Sequence, residues 1–264
     1  MPESKEPQPY EVLPPPETAV WRYMNLAKLL SLLHTRALFL SRADMFEDHY
    51  EGAFSEGSLR DHERDWGTAL PENLVAMTRW LPYRSFVSCW HASDVESVAL
   101  WKIYAGCEGA LAIQSTVAAL QAIFPELITP EGDLIIYQAV RRVQYIDYRT
   151  EHPYINDLMG PLCYKRRAFA YEQEIRIIRQ EIPTGPAKDR PGGRAIQMGP
   201  PPEQKGVNLP VDLKTLIEAV YIAPLSPPWL LDAVAETMHR FDLGDIPCRQ
   251  STLDELPEYG RYDF

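Results

Sequence analysis

Residues 20–41 read as strand, helix and strand with almost no joints between them, and this constrains the fold more than any other stretch. VWRYM (20–24) is a short run of β-friendly residues. Asn25 is a good N-cap for the helix LAKLLSLLHTR, where Leu26, Leu29, Leu30 and Leu33 fall on one face. ALFLS (37–41) is the next strand. The pattern recurs near the end, where KTLIEAVYIAP (214–224) leads through Ser226-Pro227 into a helix and IPCRQS (246–251) closes as a strand. Between these units, SFVSCW (85–90), GALAIQS (109–115), LIIYQAVRRVQYID (134–147) and YEQEIRII (171–178) read as strands, the third as a strand or bent hairpin. Residues 54–82 read as mostly helical, anchored by Trp66 and Trp80, and 97–105, 116–124 and 153–168 also read as helices. The interleaving is irregular, which favours an α+β domain over a doubly wound sheet.

Composition sets the outer bounds. A chain of 264 residues buries roughly 70–75% of its unfolded surface, enough to fold without metal or disulfide. Cys89, Cys107, Cys163 and Cys248 form no CxxC and no zinc spacing, so they read as reduced thiols. Residues 1–18, rich in Pro and Glu, read as a disordered or extended arm. Residues 19–264 then form a single domain, interrupted by a flexible Pro/Gly-rich loop at 182–206 where neither helix nor strand is expected. No apolar run reaches membrane length and the first residues lack a signal-peptide pattern, so a cytoplasmic location without membrane association is expected. The net charge of −11 argues against general nucleic-acid binding. Residues 141–190 run the other way, with ten Lys/Arg against seven Asp/Glu. A local anion site fits this asymmetry, as do a few solvated arginines.

There is no P-loop, GxGxxG, HExxH or GxSxG. Three polar clusters remain. The first is Arg22-Tyr23 with Ser41-Arg42, which meet near one edge if their strands are neighbours. Arginine suits two-point capture of phosphate or carboxylate, although it also snorkels from surface strands. The second is FEDHYEG (46–52), whose Glu47, Asp48 and Glu51 could bind a metal, orient a hydroxyl or simply be solvated. The third is Glu172, Glu174 and Arg176, which share one face of a strand. Such a face is either a charged exterior or a place where a carboxylate steadies a developing cation while Arg176 keeps its partner acid ionised. Trp101 and Tyr104 on the helix after SFVSCW serve either as core or as a ligand platform.

The ordered set WRYM, ALFLSRADMFEDHYEG, SFVSCW, LWKIYAGCEGALAI and YEQEIRI resembles the bacterial domain-of-unknown-function family 2971 over residues 20 to about 180. The chain departs from that pattern at Glu47-Asp48-His49 and at Trp90-His91. The layout is similar to the ADP-ribosyltransferase superfamily. That resemblance implies a split mixed or antiparallel central sheet with flanking helices, and NAD as substrate. It implies transfer of ADP-ribose to a protein or nucleic-acid acceptor, in a defence or toxin setting. Arg22 would hold the pyrophosphate or adenylate ribose, and Tyr23 and Ser41 would line the nicotinamide pocket. Glu174, or Glu172, would be catalytic, and Asp48, Glu51, Trp101, Tyr104 and Arg176 would complete the cofactor site. Two rival readings stand beside it. One is a non-catalytic nucleotide- or protein-binding module. The other is a metal-dependent phosphodiesterase or nuclease built on Asp48, Glu51 and the Glu172/Glu174 pair.

Overall fold

The computed structural model describes residues 7–55, 57, 58, 60, 72–104, 109–153, 157–186 and 193–255. In chain order the strands are β1 (Ala19–Asn25), β2 (Ala37–Arg42), β3 (Ser85–Ala92), β4 (Ala110–Thr116), β5 (Leu127–Glu131), β6 (Leu134–Arg142), β7 (Gln144–Ile146), β8 (Tyr164–Arg166), β9 (Glu174–Pro186), β10 (Arg194–Ile196), β11 (Gly206–Pro210), β12 (Ala219–Ile222) and β13 (Cys248–Gln250). The helices are α1 (Leu26–Thr35), α2 (Glu72–Trp80), α3 (Val98–Tyr104), α4 (Val117–Ile123), α5 (Leu213–Leu216) and α6 (Pro228–Arg240).

The opening unit forms as its residues dictate. Asn25 Oδ1 accepts the Lys28 N–H at 3.0 Å, capping α1. Arg36 turns left-handed (φ 48°) to end the helix, and β2 begins at the next residue. The buried stripe is Leu29, Leu32 and Leu33. It is rotated from the expected one, and Leu30 is 40% exposed.

The main sheet runs β13-β12-β4-β1-β3-β9-β6-β5. Its pairs are antiparallel apart from β12 with β13, and β7 with β8 form a small parallel sheet beside it. The protein is therefore a mixed α+β fold with a mixed sheet. The sheet also splits. β3 gives one edge to β9 along its length, but β1 and β2 share the other edge. Val20 and Trp21 of β1 pair with Ala92 and His91 at one end, while Ser41 and Arg42 of β2 pair with Val87 and Phe86 at the other. Ser88, Cys89 and Trp90 lie between with no ladder partner on that edge. A wedge opens there, and a cleft occupies it.

One core lies under α1, α4, α5 and α6, centred on Leu29, Leu33, Ile113, Leu120, Val220, Val234 and Met238. A second packs Val87, Ala139 and Ile178 against Leu162, Cys163 and Tyr164. Ile175, Ile177, Ile178 and Ile182 of β9 are fully buried and feed three of the core clusters. Each such side chain contributes about 1.5–3 kcal/mol of transfer free energy. Cys89, Cys163 and Cys248 are free thiols, as the spacing predicts.

The structure refines some of these expectations and corrects others. The N-terminal arm carries no helix or strand over residues 7–18, and it is packed rather than free: Tyr10 is fully buried and its carbonyl accepts the Arg142 N–H at 2.9 Å. Residues 164–166 are strand rather than helix, and β8 is preceded and followed by short 3-10 turns. The Pro/Gly-rich stretch is not free of strand either, because β9 continues to Pro186 and forms a hairpin with β10. Three side chains donate to carbonyls beyond that hairpin. Trp80 reaches Gly199 at 2.9 Å, Arg84 reaches Pro200 at 2.6 Å and Arg42 reaches Gln204 at 3.1 Å. Trp66, expected as a helix anchor, lies outside the described residues. Among those residues no helix is long and apolar enough to cross a membrane.

Candidate functional site

A cleft of about 560 Å³ sits in the wedge, lined by β1, β2, β3, α3, the 45–51 turn, β8 and the start of β9. Its acidic wall is built around three glutamates. Residues 167–172 form a 3-10 turn, and Gln173 then adopts φ 41° before β9 begins at Glu174. Glu172 and Glu174 are therefore not successive outward residues of one strand, as the alternation predicted. The left-handed residue between them folds both carboxylates onto the same ammonium, that of Lys165. Lys165 contacts Glu172 Oε2 and lies 2.9 Å from Glu174 Oε1 and 3.3 Å from Glu51 Oε1.

Arg176 closes the network. Its Nε donates to Glu174 Oε2 at 2.5 Å, its two terminal nitrogens grip both oxygens of Glu51 at 2.6 and 2.9 Å, and Nη1 also reaches the Leu162 carbonyl at 2.7 Å. Gly52, at φ 77°, follows Glu51 and turns the chain where a side chain would collide with Pro82. Tyr104 Oη donates to Glu172 Oε1 at 2.9 Å. The Glu174 N–H donates to Tyr145 Oη at 2.9 Å, and His91 Nδ1 lies 2.7 Å from the Glu172 carbonyl. All five charged side chains are at least nine-tenths buried. Three carboxylates face two cations, so the wall is one negative charge in excess when all are ionised.

The two neighbouring acids respond in opposite directions. Burial, then the adjoining Glu174 carboxylate, raises Glu172 from 4.5 to about 7. Burial also works against the Glu174 charge, but Arg176 and Lys165 overcome it and hold Glu174 well below the usual carboxylate range. One acid is thus fixed as an anion and the other exchanges its proton near neutrality.

The part of the lining given by β1 and the start of α1 is cationic. Arg22 on β1 lines the cleft, donates to the Phe39 carbonyl at 3.1 Å and lies 5.9 Å over the Trp90 ring. Among the described residues no carboxylate pairs with it, and burial lowers it to about 10. Lys28 lines the cleft beside it. Arg22 and Ser41 do reach one cavity, although β1 and β2 do not pair with each other; they meet the same edge of β3 at its two ends.

Of the ten residues expected at the site, nine line this cleft: Glu174, Glu172, Arg22, Tyr23, Ser41, Asp48, Glu51, Tyr104 and Arg176. Trp101 does not. It is 5% exposed, packs edge-on against Tyr23 at 4.9 Å and donates to Glu96. It supports Tyr23 from behind. Asp48 is taken by Arg166 at 2.9 Å, and Glu51 by Arg176. The acids are each satisfied by protein cations, and among the described residues no three metal-binding side chains converge. Lys165, Lys28, His91 and Tyr145 were not singled out by the sequence. Lys165 sits in the basic run Lys165-Arg166-Arg167, and reading that run as a short strand rather than a helix alternates it inward.

No protein-family model matches this chain, nor does any curated protein, so the resemblance to family 2971 gains no support. Solved structures do show similarity. They are DarT of Thermus sp. 2.9 in complex with ADP-ribosylated ssDNA, with carba-NAD+ and with NAD+. Identity is 11–12%, the alignments span 90–91% of this chain and 96–98% of those chains, and the TM-scores are 0.37–0.38. Overlap of that extent fixes neither fold family nor activity.

Proposed function

We propose that the protein is an NAD-dependent ADP-ribosyltransferase that modifies a macromolecule. The observation that carries this reading is the polarity of the cleft. One part of the lining holds Arg22, a cation without a carboxylate partner among the described residues, and another holds Glu172 and Glu174. NAD matches both parts. Its pyrophosphate is a strong anion, and the ribose bearing nicotinamide becomes cationic as the C1′–N bond breaks. Arg22 takes the pyrophosphate. Tyr23 and Ser41 line the nicotinamide end, and nicotinamide leaves with the bonding electron pair. Glu174, held ionised, stabilises the oxocarbenium-like ribose. The acceptor nucleophile then bonds to C1′, and its proton passes to Glu172 or to water.

The test is incubation of the full chain with labelled NAD and cell lysate, alongside Glu174→Gln. Label transfer or nicotinamide release that the variant loses, with its fold intact, supports the reading. Full activity in the variant removes Glu174 from the chemistry. One observation favours the binding-module alternative: both Glu174 oxygens are already occupied by cations. That alternative predicts ligand affinity with no nicotinamide released over several lysates with DNA or RNA added.

A further inference from the structure

We propose that Lys165 is the positioning residue of this cleft: its ammonium draws the Glu172 and Glu174 side chains to one point and supplies the cationic partner that Glu172 otherwise lacks among the described residues. Glu172 is faced by Lys165 from β8, by Glu174 and Arg176 from β9, by Glu51 from its turn, by Tyr104 from α3, and by Tyr171, Tyr145 and the His91 ring nearby. Among these only Lys165 gives Glu172 a cationic contact, whereas Glu174 touches both Lys165 and Arg176. The asymmetry is therefore one cation against two. Burial works against the lysine charge, but Glu174 and Glu51 keep the ammonium protonated, well above the ordinary lysine value. Without it, Glu172 would meet Glu174 and Glu51 with no cation of its own, and neighbouring carboxylates in that position must share a proton. Lys165 touches no reacting atom in this scheme. It acts through the two acids.

The experiment is carboxyl-carbon NMR titration of the full chain, with the Glu172 resonance assigned from Glu172→Gln. Lys165→Met should move the Glu172 midpoint up by about one to three units, and Lys165→Arg should restore it. Should Lys165→Met fail to fold, the Lys165 ammonium nitrogen in the unaltered protein serves instead. Its resonance should follow the Glu172 titration and lose that response in Glu172→Gln. An unmoved midpoint in folded Lys165→Met, or an ammonium resonance indifferent to that titration, overturns the proposal. Only the kinetic consequence, a matching shift in the acid limb of nicotinamide release, rests on the transferase reading. If NAD is not consumed, the carboxyl titrations still decide the role of Lys165.

Discussion

Arg176 grips Glu51 through two parallel hydrogen bonds of 2.6 and 2.9 Å, with neither side chain more than 3% exposed. The pair ties the 45–51 turn to the middle of the sheet. Removing Glu51 takes both of these charged hydrogen bonds, worth about 1.5–3 kcal/mol each, from Arg176, which keeps Glu174 and the Leu162 carbonyl. Glu51→Ala should therefore lower unfolding free energy by the sum of the two in denaturant titration. A loss below about 1 kcal/mol, the usual worth of an exposed pair, would show that water reaches Arg176.

Arg22 should act on binding rather than on stability. It has no carboxylate partner among the described residues, so Arg22→Met removes a desolvated charge without stranding another. A hydrogen bond to a charged ligand is worth about 1.5–3 kcal/mol, or roughly 10- to 100-fold in affinity. Calorimetric titration with NAD should show that loss with an unchanged melting temperature.

The pH dependence of stability should carry the signature of Glu172. Its native value of about 7 lies above its ordinary 4.5. Between those values the native protein holds a proton that the unfolded chain has released, so this stabilisation fades as pH rises and is gone above the native value. Glu174 has the opposite sign, but its contribution is complete above the unfolded value and is lost only in stronger acid. His91, lowered by burial, makes stability rise with pH below about 6.5. His91 is present in both proteins when Glu172→Gln is compared with its parent. The difference in melting temperature should therefore decline from pH 5 to 7 as the parent loses its Glu172 contribution, and its absence would place Glu172 in an ordinary solvated state.

The segment after β10 should be released by removing its donors. Arg42 and Arg84 bind its carbonyls, and Arg42 also pairs with Asp44. Charged hydrogen bonds of this kind are worth about 1.5–3 kcal/mol each. Arg84→Ala should therefore speed limited proteolysis near Gly199 by about tenfold, provided cleavage tracks local opening.

Much of this architecture was legible because it is local. Asn25 before a leucine-rich run, and β–α–β units near both ends, are patterns of adjacent residues. Glu172, Glu174 and Arg176 also declared themselves as a group. Their true geometry did not, because it depends on Gln173 adopting a left-handed conformation that glutamine rarely takes. Lys165 was hidden by a three-residue strand too short to show a period and stabilised by its parallel partner β7. Trp101 was ambiguous in principle: the same apolar helix face serves a core or a platform, and only the packing of Tyr23 on it decides. The fork in the sheet is wholly non-local, since it joins residues 20–21, 41–42 and 86–92.

That fork also governs how the cleft can change. Neighbouring strands elsewhere in the sheet are held about 4.8 Å apart by their ladder, which fixes every gap to one backbone spacing. Where β1 and β2 diverge along the edge of β3, no ladder sets the gap. Its width follows from the side chains that line it, Trp90, Ser41 and Tyr23 among them, and from the Arg22 hydrogen bond to the Phe39 carbonyl that bridges β1 and β2. Substitution at those positions can retune the shape of what the cleft admits while the hydrogen bonds of the sheet stay intact.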